Sequence, residues 1–216
     1  MATSRENLPS GNVPQKGPPG GLSPRSFGLA LAGILAAILL LGTGGFLWLK
    51  DSSGGATIGG PFALQDGDGK TITERDLRGK YLLVYFGYTF CPDVCPTTLN
   101  EVSDAMDRLG TKADRVQPVF ISVDPERDTP AAMKQYVAAF TPRLIGLTGT
   151  PDEVAKVAKE YRVYYAVHRT GSGPNDYTVD HSSILYLMGP DGKFIAPIRA
   201  DESGAQMAAD ISKLVS

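Results

Sequence analysis

The sequence predicts an α/β domain, in which a mixed sheet carries helices on both faces, preceded by one apolar helix long enough to cross a membrane. Two continuous apolar runs, residues 81–88 and 116–123, are typical of strands buried on both faces. The segment between them has the apolar periodicity of an amphipathic helix. Strand–helix units come first and an antiparallel hairpin comes last, which indicates a mixed sheet.

Apolar periodicity and capping residues mark the predicted helices. The first, within residues 97–110, has an apolar stripe made of Leu99, Val102, Met106 and Leu109. Thr129 and Thr150 each place a hydroxyl before a first-turn proline, which is a start signal for a helix, and Glu153 completes a capping box with Thr150. A closing helix capped by Ser203 is expected to bury Met207, Ile211 and Leu214.

The remaining strands are predicted from short apolar runs and turn residues. Residues 144–147 read as a short buried strand between the two proline-capped helices. Residues 163–167 and 184–188 are predicted strands joined by a polar loop, and a turn at 189–192 leads to the last strand at 194–198. A thioredoxin-like sandwich has this order of elements.

The N-terminal part of the chain predicts a transmembrane anchor. Residues 27–49 are 23 consecutive residues without a charge, and such a helix crosses a hydrocarbon layer of about 30 Å. The alternative is a cleaved secretory signal, but its apolar region usually has only about 7–15 residues. Basic residues outnumber acidic ones before this segment, so the N terminus is expected to stay on the inner side.

The chain is therefore expected to have four parts. Residues 1–26 form a disordered cytoplasmic tail and residues 27–49 the anchor, followed by a flexible tether at 50–61 and the folded domain at 62–216. We expect a single-pass protein of a bacterial inner membrane with a periplasmic domain, since the tail fits a mitochondrial presequence only weakly. The chain carries −2 and its first 49 residues +2, so the remainder carries −4, which argues against nucleic acid as a partner.

Both cysteines of the chain, Cys91 and Cys95, lie in the segment GYTFCPDVCPTTL. A buried strand ends there and a helix begins, which is where open α/β folds place their sites and where a helix N-terminus favours thiolate. A structural disulfide would close so short a loop that it would stabilise the fold little. A redox couple, a peroxidatic Cys95 with Cys91 as its resolver, and a pair of metal-binding thiolates remain open, although redox pairs usually have Cys-x-x-Cys spacing.

The chain has two histidines that could add a nitrogen ligand. His168 lies in the predicted polar loop, where a solvated side chain is the ordinary expectation. His181 is expected to open the strand segment HSSILYLM and thus to lie beside the turn that holds the cysteines. A hydrogen-bonded structural imidazole is the competing interpretation of His181.

Three separated motifs resemble the Sco/SenC family. They are GYTFCPDVCPTTL, ISVDPERDTP at residues 121–130 and DHSSILYLMGPDGKF at residues 180–194. The resemblance covers about residues 58–216, and the single anchor helix also matches. It implies a membrane-anchored, thioredoxin-like copper protein of cytochrome c oxidase assembly.

The copper ligands that this resemblance implies are Cys91, Cys95 and His181. Two soft thiolates suit Cu(I), and an added imidazole gives a three-coordinate site that also holds Cu(II), whereas zinc would want a fourth ligand. The paired aspartates of the family match Asp124 and Asp128, whose alternative role is that of turn and cap residues. Asp180 is expected to orient the imidazole of His181 from behind.

Three functions follow as hypotheses. The first, and the main prediction, is a chaperone that takes copper from an exported donor and delivers it to the dinuclear copper site of cytochrome c oxidase subunit II. The second is a thiol–disulfide reductase, in which redox-active Cys91 and Cys95 act on the oxidase cysteines or on exported thiols in general. Its electrons would come from another exported thioredoxin-like protein. The third is a thiol peroxidase that uses Cys95.

Overall fold

A five-stranded mixed sheet lies at the centre of residues 58–215, the range that the computed structural model describes. The strands in this range are β1 (Ala63–Gln65), β2 (Thr71–Thr73), β3 (Tyr81–Gly87), β4 (Val116–Ser122), β5 (Ile145–Leu147), β6 (Tyr165–Arg169), β7 (Tyr177–His181), β8 (Ile184–Met188) and β9 (Phe194–Arg199). The helices are α1 (Val94–Arg108), α2 (Pro130–Val137), α3 (Pro151–Glu160) and α4 (Gly204–Leu214), with a short 3-10 helix at Gly110–Arg115. The strand order of the central sheet is β5-β4-β3-β8-β9.

Helices cover both faces of this sheet. Successive residues of a strand point to opposite faces, so Tyr85 and Phe86 of β3 identify the two sides. The ring of Phe86 packs against Tyr161, at the end of α3, with centroids 5.3 Å apart. On the other side Tyr85 neighbours Phe120 of β4, which packs against Tyr136 of α2 at 5.5 Å. The predicted α/β class with a mixed sheet is confirmed.

The pairing of β3 decides which loops meet. β3 runs parallel to β4, with Tyr81 opposite Val116 and Gly87 opposite Ser122. It runs antiparallel to β8, so the carboxyl ends of β3 and β4 meet the start of β8 at one edge of the sheet. Every residue of β3 is buried, as predicted for a central strand. The candidate site lies at this edge.

The hairpin formed by β6 and β7 lies outside the central sheet, and the sequence-based prediction for this region was wrong. The sequence predicts a strand at 163–167 and then a polar loop, but β6 pairs with β7 in a two-stranded sheet, with Tyr165 opposite His181. Within β7 only Tyr177 and Val179 are buried, and polar residues fill the exposed positions, which made the strand resemble a loop. His181 therefore ends β7 and does not open β8.

Two details at the ends of the domain also differ from the prediction. Leu214 is 38% exposed and Val215 is buried instead, because α4 ends at Leu214 and the extended backbone of Val215 turns its side chain inward. At the other end, the Gly59 N–H donates to the carbonyl of Glu160 at 2.9 Å. Contacts of the folded domain therefore begin before residue 62.

The predicted tail at residues 1–26 and the predicted anchor at residues 27–49 lie outside the described residues, as do residues 50–57 of the predicted tether. Among residues 58–215, no helix combines the length and the apolar character needed to cross a bilayer.

The predicted helix caps are confirmed. The side chains of Thr129, Thr150 and Ser203 each accept a backbone N–H from the first turn of their helix. At the start of α3, the Glu153 carboxylate also accepts the N–H of Thr150 at 2.8 Å, which completes a capping box. These caps satisfy N–H groups that have no partner within the helix.

We expect Thr150→Ala to lower the free energy of unfolding by about 1 kcal/mol, because the N–H of Glu153 loses its acceptor. Thr150→Ser keeps the hydroxyl and should stay within about 0.5 kcal/mol of the wild type. Urea denaturation followed by circular dichroism measures both. Equal losses for the two variants would show that the hydroxyl does not stabilise this helix.

Candidate metal and thiol site

The two cysteines occupy different positions around the start of α1. Cys91 lies in the loop after β3 and is half-buried, whereas Cys95 lies in the first turn of α1 and is fully buried. Neither cysteine is in a disulfide, and the backbone N–H of Cys95 donates to Cys91 Sγ at 3.4 Å. A helix N-terminus with an N–H aimed at sulfur stabilises the thiolate of Cys91.

His181 brings a ring nitrogen to the same point. Its Nε2 lies 3.3 Å from Cys95 Sγ, and the donor atoms of Cys91, Cys95 and His181 all lie within 4.8 Å of one another. The expected convergence of the three side chains is therefore observed, and their role as metal ligands stays a prediction. The other ring nitrogen, Nδ1, lies 3.2 Å from the carbonyl oxygen of Ser182. Since a carbonyl only accepts, Nδ1 carries the proton and Nε2 presents its lone pair to the sulfurs.

Two tyrosine rings from the end of β3 and the residue after it hold the imidazole in place. The Tyr85 ring meets His181 at a centroid distance of 5.9 Å and an interplanar angle of 71°. The Tyr88 ring meets it at 6.1 Å and 88°. Both tyrosines are buried, so the imidazole is fixed by edge-to-face packing in an apolar pocket.

The two thiols have opposite protonation states in the metal-free site. The hydrogen bond from the Cys95 thiol, supported by backbone N–H groups and opposed by burial, lowers the pKa of Cys91 to about 3. The neighbouring Cys91 sulfur and burial raise the pKa of Cys95 well above its usual range. At neutral pH the pair therefore holds one negative charge, on Cys91, and one proton, on Cys95.

Asp128 fastens the cysteine loop to the end of β4. Its carboxylate is fully buried and accepts hydrogen bonds from the N–H of Thr89 at 3.0 Å, from the Thr89 hydroxyl and from the Ser122 hydroxyl at 2.6 Å. Burial raises the pKa of Asp128, although these donors oppose the shift. Thr89 lies two residues before Cys91, so Asp128 positions the loop without touching the sulfurs.

Asp124 makes its contacts in a different direction. Its carboxylate forms a buried ion pair with Arg127 and accepts the hydroxyl of Tyr177 at 2.7 Å. Tyr177 is the first residue of β7, the strand that ends at His181. The paired aspartates therefore hold the two segments that carry the three donors, one aspartate for each segment.

Asp180 does not orient His181, contrary to the prediction. Its carboxylate lies 3.0 Å from Nε2 of His168, and both side chains are more than half exposed. Adjacent residues of a strand point to opposite faces, which turns Asp180 away from the imidazole that follows it. The Ser182 carbonyl orients His181 instead. His168 is solvated as predicted, but it lies on β6 and not in a loop.

Sequence reasoning did not identify Thr89, Arg127 or Tyr177 as part of the site. Arg127 lies inside the motif ISVDPERDTP, yet a charged residue in a loop is ordinarily a solvated one. The alternation of buried Tyr177 and Val179 was the signal that could have placed Tyr177 on a strand. No spacing rule connects Thr89 to Asp128, which lie 39 residues apart.

The arrangement suits a soft, low-coordinate metal ion. Two sulfurs and one imidazole nitrogen match the preference of Cu(I) for thiolate, and the nitrogen makes the set acceptable to Cu(II). Cys91 and His181 line an open cleft of about 540 Å³, together with Val94 and Tyr164. A thiol or a metal ion can therefore reach the site from solvent.

Comparison with known proteins decides the family. A model of the SCO1/SenC family matches residues 50–216, which is most of the chain. The chain belongs to the SCO1/SenC family. The structural relatives in this family confirm the predicted thioredoxin-like α/β fold.

Three relatives illustrate the likeness. The protein "SCO1 homolog 1, mitochondrial" of Arabidopsis thaliana is 50% identical over 145 residues, which are 67% of this chain and 43% of that protein. Bradyrhizobium japonicum ScoI, solved with copper bound, is 49% identical with a TM-score of 0.66, covering 72% of this chain and 98% of that one. BsSco, described as a cytochrome c oxidase assembly protein of the Sco family with a disulfide switch, is 27% identical with a TM-score of 0.57, covering 73% and 92%. The chain spans about half the length of the curated relatives it matches.

We expect iodoacetamide to modify Cys91 and to leave Cys95 unmodified in the reduced, metal-free protein at pH 5. The lowered pKa of Cys91 keeps it a thiolate, whereas Cys95 is protonated and fully buried. Fragment-ion mass spectrometry of the peptide that contains both residues assigns the modified sulfur. The same reaction at pH 9 in urea should modify both, and modification of Cys95 first in the native protein would contradict this assignment of charge.

Gly87→Ala should destabilise the fold by about 1–3 kcal/mol, as overpacking does. A Cβ at Gly87 would lie 2.7 Å from the Phe120 ring and 2.8 Å from Cys95 Sγ, so the sulfur or the ring would have to move. Gly60→Ala is the matched control, since its Cβ meets only the movable side chain of Glu160. Urea denaturation of both variants tests this, and equal stabilities would show that the space beside Cys95 is not tightly packed.

Proposed function

We propose that this protein is a membrane-anchored copper chaperone that delivers copper to the dinuclear copper site of cytochrome c oxidase subunit II. Its copper ligands would be Cys91, Cys95 and His181. The observation that carries the proposal is the convergence of two sulfurs and one unprotonated ring nitrogen within 4.8 Å beside an open cleft. Copper in the solved structures of related Sco proteins supports the choice of metal. The description of BsSco supports the link to oxidase assembly.

The unequal burial of the proposed ligands suits a protein that transfers a copper ion to a recipient. Cys95 is fully buried and Cys91 is half-buried on the side of the cleft. An incoming thiolate of a recipient would therefore replace Cys91 first, while Cys95 still holds the ion. Exchange of one ligand at a time avoids release of free copper, and soft thiolates on both partners keep the ion as Cu(I).

We place the domain on the periplasmic side of a bacterial inner membrane, with the N terminus in the cytoplasm. The uncharged segment 27–49 and the basic residues before it support this arrangement. Residues 50–57 would span at most about 28 Å when extended, so the anchor would keep the domain near membrane-bound oxidase. An exported copper donor and an exported thioredoxin-like reductase would complete the set of partners.

The reduced protein should bind one equivalent of Cu(I) or Cu(II). We expect Cys91→Ser and Cys95→Ser to abolish stoichiometric binding, because each removes a thiolate. His181→Ala should retain Cu(I) on two sulfurs and lose about tenfold or more of the Cu(II) affinity, because the harder ion needs the nitrogen. Competition with chelators of known affinity measures both oxidation states.

His168→Ala is the matched control, since the imidazole of His168 is exposed and pairs with Asp180. It should bind copper as the wild type does. A wild type that takes up no copper after full reduction would refute the proposal.

In a strain that lacks this protein, oxidase subunit II should lack copper. The His168→Ala protein should restore that copper, whereas the Cys91→Ser protein should not.

A thiol–disulfide reductase is the second candidate, and the low pKa of Cys91 beside a protonated Cys95 favours it. Reduction of the oxidase cysteines would need both sulfurs but not His181. His181→Ala thus separates the functions: a variant that restores subunit II thiols without restoring its copper shows both activities in one protein. A peroxidase that attacks through Cys95 is disfavoured, since that thiol is buried and protonated.

A further inference from the structure

We propose that Arg127 is the positioning residue that fastens the β6–β7 hairpin to the domain and so keeps His181 within reach of the two sulfurs. The hairpin is a two-stranded sheet outside the central sheet. Isolated two-stranded hairpins are only marginally stable in water, so its position depends on what attaches it. The inference rests on the proposed function, because it concerns the nitrogen ligand of the same copper site.

The guanidinium of Arg127 is buried between the loop after β4 and the hairpin. Its side chain is 6% exposed and that of Asp124, its ion-pair partner, is 4% exposed. Burial of a charge is costly unless the charge is paired and hydrogen-bonded. Asp124 accepts from Nε and the hairpin accepts from Nη1, whereas Nη2 has no hydrogen-bond partner among the described residues.

Arg127 contacts the hairpin at the start of β7. Its Nη1 donates to the carbonyl oxygens of Asn175 and Tyr177, at 3.2 and 3.1 Å. Its Cζ lies 3.6 Å from the centre of the Tyr177 ring, which is a close cation–π contact. The Tyr177 hydroxyl donates to Asp124, so the three side chains form a closed ring of contacts that joins the two segments.

The same guanidinium also contacts the segment that carries the cysteines. Its Cζ lies 4.7 Å from the centre of the Phe90 ring and 5.7 Å from that of Tyr88. Phe90 directly precedes Cys91, and Tyr88 packs edge-on against His181. One cation thus contacts both stretches of polypeptide that supply copper ligands.

Arg169 provides a contrast on the same hairpin. Its Cζ lies 5.7 Å from the Tyr177 ring, but its hydrogen bonds go to the carbonyls of Gly173 and Pro174 within the hairpin. It therefore stabilises the turn without attaching it to the domain. The planar fork and stacking surface used by Arg127 are also absent from lysine.

The test compares Arg127→Gln, Arg127→Lys and the double variant Asp124→Asn/Arg127→Gln with the control Arg169→Gln. The double variant leaves no unpaired buried carboxylate. It therefore replaces Arg127→Gln in the measurements if that single variant fails to fold. In the metal-free protein, amide exchange across residues 165–181 should become about tenfold faster or more in the Arg127 variants, with β3 and β4 unchanged. Arg169→Gln should leave residues 177–181 at the wild-type rate.

Copper supplies the second readout. Cu(II) affinity should fall about tenfold or more in the Arg127 variants, and the electron paramagnetic resonance spectrum should approach that of His181→Ala. In a His181→Ala background, Arg127→Gln should cause no further loss, because its effect acts through the imidazole. Arg169→Gln should keep the wild-type spectrum.

Three results would overturn the role of Arg127. The first is that the Arg127 variants keep both the Cu(II) spectrum and the amide exchange rates of the wild type. The second is that Arg127→Gln lowers Cu(II) affinity as much in the His181→Ala background as in the wild type. The third is that amide exchange becomes faster evenly over the whole domain. If the wild type binds no copper, the proposed function fails, and the exchange measurement alone still decides whether Arg127 fastens the hairpin.

Discussion

Parallel pairing of β3 with β4 is the constraint on which the site depends. It sets Gly87 beside Ser122, and the Val123 N–H extends the pairing by donating to the Gly87 carbonyl at 2.8 Å. The loops that follow the two strands therefore begin side by side, which lets Asp128 reach Thr89. It also leaves, beside Gly87, the space that Cys95 fills. A shift of one residue in this register would turn every β3 side chain to the opposite face and separate these partners.

Without a metal ion, the two cysteines share one proton. Cys95 carries that proton, and its Sγ lies 3.3 Å from Nε2 of His181, while Cys91 holds the negative charge. The three donor atoms already lie within 4.8 Å of one another. A copper ion would replace the proton of Cys95 and find its ligands in place, so uptake should release a proton and require little rearrangement.

The sequence predicted most of the sheet and the helices because their signals are local. Buried runs identified β3 and β4, and a threonine followed by proline identified the starts of α2 and α3. Cys91, Cys95 and His181 were found from residue chemistry and family motifs, and the structure brings them together. Of the β6–β7 hairpin, only the first strand was predicted. The second was missed because a short strand with polar residues on its exposed face resembles a loop. Arg127 and Tyr177 could not be paired, because their contact depends on tertiary placement across 50 residues.

The Ser182 carbonyl that accepts the proton of His181 Nδ1 has a consequence for how the site tolerates change. Many ligand histidines are held by a carboxylate, which a single substitution removes and acid neutralises. A main-chain oxygen is present whatever side chain residue 182 carries, and it has no charge to lose. The tautomer that exposes Nε2 therefore follows from the path of the backbone, and substitutions at residue 182 that keep this path should preserve it.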